Sequence, residues 1–147
     1  MSHDPQQMRD LVGRYVEAFN QQETDMLDAI LAPDFVNHNP LLDGLSTGRE
    51  GEKMFARQVL DAFPDLCGNI EEQIIEGDMV VSRITWTCTQ RGRSPGSAPF
   101  SITPVHVMKV ANGTIVEQWT GFDELGMLQQ LGVQPATSPK DWQKALA

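Results

Sequence analysis

Apolar residues recur every three to four positions up to Pro64 and every second position after it, so the chain reads as helices followed by strands. Asp4 can cap the first helix, Pro5 suits its first position, and Gln7 stands where a capping-box partner would. Met8, Leu11, Val12, Tyr15 and Phe19 then mark one buried face, and Asn20 with Gln21-Gln22 ends the helix. A shorter helix is expected from about Thr24 to Leu31, closed by Pro33, and residues 34–40 read as a brief strand. Thr47-Gly48-Arg49-Glu50 has the form of a capping box. The helix it opens carries Met54, Phe55, Val59, Leu60 and Phe63 and stops at Pro64.

Beyond Pro64, residues 66–76, 79–91, 99–111 and 114–121 alternate as strands. Their connections are Gly77-Asp78, a Gly/Ser/Pro loop over 92–98, and Asn112-Gly113, a strong hairpin signal because both central turn residues take positive φ. A short amphipathic helix follows the last strand, and another is expected from Ser138. The pattern predicts a single α+β domain spanning 1–147, with a core of about 8–132 and a tail of 133–147. N-terminal helices should cover one face of a curved antiparallel sheet. Apolar residues on both faces of the strands, Ile84 and Trp86 against Val105 and Val107, point to a homodimer joined through that sheet.

A net charge of −9 in 147 residues argues against nucleic acid and against an anionic membrane surface, both of which select clustered Lys and Arg. No apolar run reaches the roughly 20 residues a spanning helix needs, and the polar start lacks a secretory core. Cys67 and Cys88 have no metal-ligand spacing and read as reduced thiols, which implies a cytoplasmic setting. No His/Cys/Asp/Glu cluster suits a metal, and no Gly-rich turn suits a phosphate-bearing cofactor, so neither is expected.

Candidate chemistry gathers at the Asn112-Gly113 hairpin, which brings His106 near Gln118, Thr120 and Asp123. Thr120 shares the parity of Gln118 and should face the same side. Asp123 stands where it could cap the following helix or turn inward. Trp86 suits either core packing or ligand stacking.

Several segments together resemble the SnoaL-like polyketide cyclases of the nuclear transport factor 2-like superfamily. They are Val-Glu-Ala-Phe-Asn (16–20), Ala-Pro-Asp-Phe-Val-Asn-His-Asn-Pro (32–40), Thr47-Gly48, Ala-Phe-Pro-Asp (62–65), and the terminal Gly-x-Ile-x-Glu-x-Trp with Asp-x-x-Gly-x-Leu-x-Gln-Leu-Gly. The resemblance implies an α+β cone with a hydrophobic pocket for a flat, oxygenated small molecule. It also implies a lyase- or isomerase-like ring closure by acid/base chemistry without a cofactor. Asn37 matches a pocket asparagine and His106 the active-site histidine, while the family's catalytic aspartate falls on Thr120. A threonine hydroxyl cannot serve as that base. The proton is then left to Asp123, to His38 from the other wall, or to His106, whose ordinary pKa near 6.5 suits proton transfer. The expected site comprises His106 and Asp123 as catalytic groups, with Asn37, His38, Trp86, Gln118 and Thr120 against the ligand. A non-catalytic binding protein that lost the aspartate is the alternative.

Overall fold

Asn112 and Gly113 take φ of 52° and 77°, the turn geometry that joins two strands in register. The computed structural model describes residues 3–88, 99–132 and 146. The turn links β5 (Val105–Ala111) to β6 (Thr114–Gly121), pairing His106 with Thr120 and Met108 with Gln118. Upstream lie α1 (Pro5–Asn20), a 3₁₀ turn (Thr24–Ala29), β1 (Leu31–Asn37) and α2 (Gly48–Ala62). Strands β2 (Cys67–Glu76), β3 (Met79–Cys88) and β4 (Phe100–Ile102) follow, and α3 (Glu124–Gln130) comes after β6.

The strands form a curved, unclosed sheet in the order β1-β6-β5-β3-β2, with β4 also paired to β3. It is mixed rather than purely antiparallel, because β1 runs parallel to β6. That pairing joins distant parts of the chain, so no local turn announces it. The single strand expected over 99–111 is two, β4 and β5, separated at Thr103-Pro104. Pro104 has no N–H to give the ladder, though its carbonyl still accepts from Ile84 N at 3.2 Å. The loop expected at 92–98, the end of the strand expected over 79–91, and the helix expected from Ser138 lie outside the described residues.

Alternation along the strands sends Val80, Ile84, Trp86, Met108 and Val110 to one face, where α1 covers them with Met8, Leu11, Val12 and Phe19. Burial of each such side chain contributes about 1.5–3 kcal/mol. Asp4 caps α1 by accepting from Gln6 N at 3.1 Å, and Thr47 precedes α2 without a side-chain capping bond. Asn20 ties the end of α1 to β2, accepting from Gly68 N at 2.7 Å and donating to Gly68 O at 3.0 Å. Gly68 is required there, since a Cβ would lie 2.6 Å from the Trp86 ring. Helix α2 buries Glu52 and Lys53 along with Ala56 and Leu60. The Lys53 stem is covered, and its ammonium meets Asp28 at 3.0 Å and Asp25 at 3.1 Å, tying α2 to the 3₁₀ turn.

Candidate active site

The inner face of the sheet and the three helices enclose a cavity of about 330 Å³. Its lining is mainly apolar, with Phe19, Phe55, Val59, Phe63, Phe100 and Met127 prominent. Polar groups enter it from a few positions: Tyr15 on α1, Asn37 and Asn39 at the end of β1, His106, Gln118 and Thr120 on the β5–β6 hairpin, and Glu124, an exposed residue at the start of α3. Among the expected ligand-facing residues, Asn37, Trp86, Gln118 and Thr120 line this space together with His106.

Trp86 fixes the state of His106. Its Nε1–H donates to His106 Nε2 at 3.2 Å, and an indole nitrogen can only donate. Nε2 therefore carries the lone pair and Nδ1 the proton. Nδ1 faces Thr120 Oγ at 3.4 Å, while Gln118 Nε2 donates to the same oxygen at 3.1 Å. With its oxygen accepting on two sides, Thr120 keeps its own proton free to point at a ligand. Burial lowers the His106 pKa to about 4, so the ring is neutral near pH 7. A base role for His106 rested on an ordinary imidazole pKa; burial removes that premise, and Trp86 occupies the basic nitrogen. Gln118 Oε1 is buried with no hydrogen-bond partner among the described residues.

Strand β1 is held to β6 beyond its last residue. His38 N donates to Gln118 O at 2.9 Å, and the Asn39 amide clasps the Thr120 backbone, accepting from its N–H at 2.9 Å and donating to its carbonyl. Asn37 Oδ1 accepts from Asn39 N at 3.1 Å, which turns the Asn37 amide N–H toward Glu52.

Two expected residues lie elsewhere. Asp123 caps α3, its carboxylate accepting from Gly126 N at 2.8 Å, and it does not line the cavity. The positive end of the helix holds that charge away from the pocket. His38 stacks on Trp119 with ring centroids 4.5 Å apart, and its Nε2 lies 3.4 Å from Glu117, also outside the lining. Alternation along β1 accounts for this: Asn37 faces in, so His38 faces out.

Glu52 was not foreseen. It is 3% exposed, accepts from the Tyr15 hydroxyl at 2.9 Å, and accepts from Asn37 Nδ2 at 3.3 Å. Burial raises its pKa, and the two hydrogen bonds oppose that rise in part. Tyr15 is raised well above the usual phenol range, first by burial and then by the Glu52 charge, while the neighbouring Gln118 side chain acts the other way. The spacing held a clue: Glu52, Ala56 and Leu60 share one helix face, and a carboxylate on a buried stripe calls for a partner. Asn39 was missed as well, since its role rests on a contact 81 residues away. Among the described residues, no three His, Cys, Asp or Glu side chains group to hold a metal ion, and no helix is long and apolar enough to cross a membrane.

The family model of the SnoaL-like polyketide cyclases matches residues 9–131. Nogalonic acid methyl ester cyclase of Streptomyces nogalater is 31% identical over 133 residues, which cover 86% of this chain and 98% of that protein. Among solved structures, TsrD from Streptomyces laurentii superposes with a TM-score of 0.80 at 25% identity, covering 90% of this chain and 99% of its own. IdmH from Streptomyces antibioticus superposes with a TM-score of 0.75 at 32% identity, covering 86% of this chain and 99% of its own. On the family match and on the cyclase relative that it spans almost end to end, this chain belongs to the SnoaL-like polyketide cyclase family.

Proposed function

We propose that this protein closes a ring in a flat, polyketide-like carbonyl compound by an intramolecular aldol reaction that needs no cofactor. The observation that carries the reading is the Thr120 hydroxyl, which accepts from His106 and Gln118 and so has its own proton available inside an apolar cavity. A preset donor of this kind strengthens as charge develops on a carbonyl oxygen, because the apolar walls keep competing water away. Asn37 and Thr120 hold the oxygen that becomes an enolate, His106 fixes Thr120, and Trp86 and the phenylalanines contact the rings. Gln118 Oε1 accepts from a hydroxyl of the ligand.

The reaction moves a proton and makes a carbon–carbon bond within one molecule, so product and substrate have equal mass. Incubation with nogalonic acid methyl ester, the compound named for the cyclase relative, tests it by chromatography with mass detection. A new peak of unchanged mass supports the reading; unchanged substrate at high enzyme concentration counts against it. Thr120 at the family's aspartate position favours a second reading, a binding protein without turnover. Saturable quenching of tryptophan fluorescence by the same ester with no product would support that one.

The outer face of the sheet carries Ile74, Val81, Val107 and Trp119 in one register row across four strands. Ile74 is 65% exposed and Trp119 36%, and self-association through this row is part of the proposal. The exposed Cys67 thiol suits a reducing, intracellular setting.

A further inference from the structure

Ring closure requires a group that takes a proton from carbon, and none of the groups so far placed on the ligand is such a base. Thr120 and Asn37 donate hydrogen bonds, and the Gln118 amide oxygen accepts one but is too weakly basic. Thr120 cannot act as base, His106 has its basic nitrogen occupied, and Asp123 and His38 lie off the cavity. Glu124, the one carboxylate among the described lining residues, is exposed to water, which keeps it a weak base. The buried acid of α2 has no part in the scheme above. We propose that Tyr15 and Glu52 form a proton relay in which the Tyr15 oxygen exchanges the proton with the ligand and Glu52 stores it. This rests on the ring-closing reading of the cavity and supplies the step that reading lacks.

The geometry is specific. Tyr15 lines the cavity, and its hydroxyl donates to Glu52 Oε1 at 2.9 Å. The second oxygen of Glu52 accepts from Asn37 at 3.3 Å, and Asn37 also lines the cavity. The carboxylate thus sits one hydrogen bond behind the wall, shielded from water, where burial makes it a stronger base than an ordinary glutamate. A phenol alone is a poor acceptor while it holds its own proton. A phenol that hands that proton to a carboxylate as another arrives is not so limited.

The step balances. The bond between the α-carbon and its proton breaks, the proton joins the Tyr15 oxygen, and the Tyr15 proton passes to Glu52 Oε1. The electron pair stays on the ligand as an enolate, whose oxygen Thr120 and Asn37 hold. The enolate carbon then bonds to a second carbonyl carbon. The alkoxide so formed takes the proton back from Tyr15, and Glu52 returns its own to Tyr15. Tyr15 is a catalytic residue in this scheme, and Glu52 is a positioning residue that acts through it.

The relay can be read without ring closure, by exchange of α-protons. The probe is 2-tetralone, a flat bicyclic ketone, in heavy water with the intact protein, followed by proton NMR. Expected is exchange about 100-fold faster than in buffer, rising with pH as Glu52 loses its proton. Tyr15→Phe and Glu52→Gln should each bring the rate to within a few-fold of buffer, and Glu52→Gln should also abolish the pH rise, which a purely structural role would leave in place. Wild-type exchange no faster than buffer overturns the relay, as does Glu52→Gln exchange with wild-type rate and pH profile. If Glu52→Gln does not fold, Tyr15→Phe decides by the same rate criterion. Ring closure of nogalonic acid methyl ester, run alongside, separates the two ideas. Closure without exchange leaves the cyclase reading and removes the relay; exchange without closure does the reverse.

Discussion

Trp86 Nε1 lies 3.2 Å from His106 Nε2, and this bond sets the tautomer of the histidine, while burial keeps the ring uncharged. An imidazolium would point an N–H at the indole N–H, so the folded protein favours the neutral ring. The pKa of about 4 lies below the unfolded value near 6.5. As pH falls, the unfolded chain takes up the proton first. The contribution is full above pH 6.5 and is lost as pH falls toward about 4, amounting to roughly 3 kcal/mol. Urea unfolding at several pH values should show this slope in the wild type and a flatter one in His106→Gln.

Glu52 has the opposite sign. Its folded pKa is raised by burial, so the fold prefers the protonated acid and loses stability as pH rises past the ordinary carboxylate range and through the folded value. Glu52→Gln keeps the shape and the bonding to Tyr15 without the charge. Its stability relative to wild type should improve from pH 4 to pH 8, measured by the same urea midpoints. A difference that is constant with pH would show that the carboxyl is not desolvated.

Gly68 lies under the Trp86 ring, where a methyl group on its Cα would come within 2.6 Å of the indole, so Gly68→Ala must displace the ring. The expected cost is about 1–3 kcal/mol by thermal or urea unfolding. The Trp86 indole N–H resonance should move as its bond to His106 is lost. An unmoved resonance would mean that the ring has room to shift without losing its partner.

Val107 sits in the outer row between Val81 and Trp119, so Val107→Glu puts a charge at its centre. Native mass spectrometry should show wild type at twice 16.3 kDa and the variant at that mass itself. A monomeric wild type would remove the sheet-face dimer.

Much of this could be read from local sequence. Asn112-Gly113 fixed the hairpin, and the period of two along β5 and β6 then put His106, Gln118 and Thr120 on one face. Asp4 and Pro5 marked the start of α1 for the same local reasons. What escaped depends on distance along the chain. The Tyr15–Glu52 bond spans 37 residues, the Asn39–Thr120 clasp spans 81, and the parallel β1–β6 pair has no turn to betray it. A carboxylate's burial is a tertiary property, so capping and turning inward both stayed open for Asp123, and Glu52 drew no role at all. The one at the helix start became a cap, and the one within a helix went inside.

Thr120→Val offers the most direct test, since it keeps the side chain's shape and replaces with a methyl the hydroxyl on which the oxyanion site rests, removing at the same time the acceptor used by His106 and Gln118. With nogalonic acid methyl ester, expected is a ring-closed isomer from wild type and a rate about 100-fold lower from the variant. Equal rates from the two proteins would contradict the assignment of that hydroxyl, and no isomer from either would contradict the cyclase reading itself.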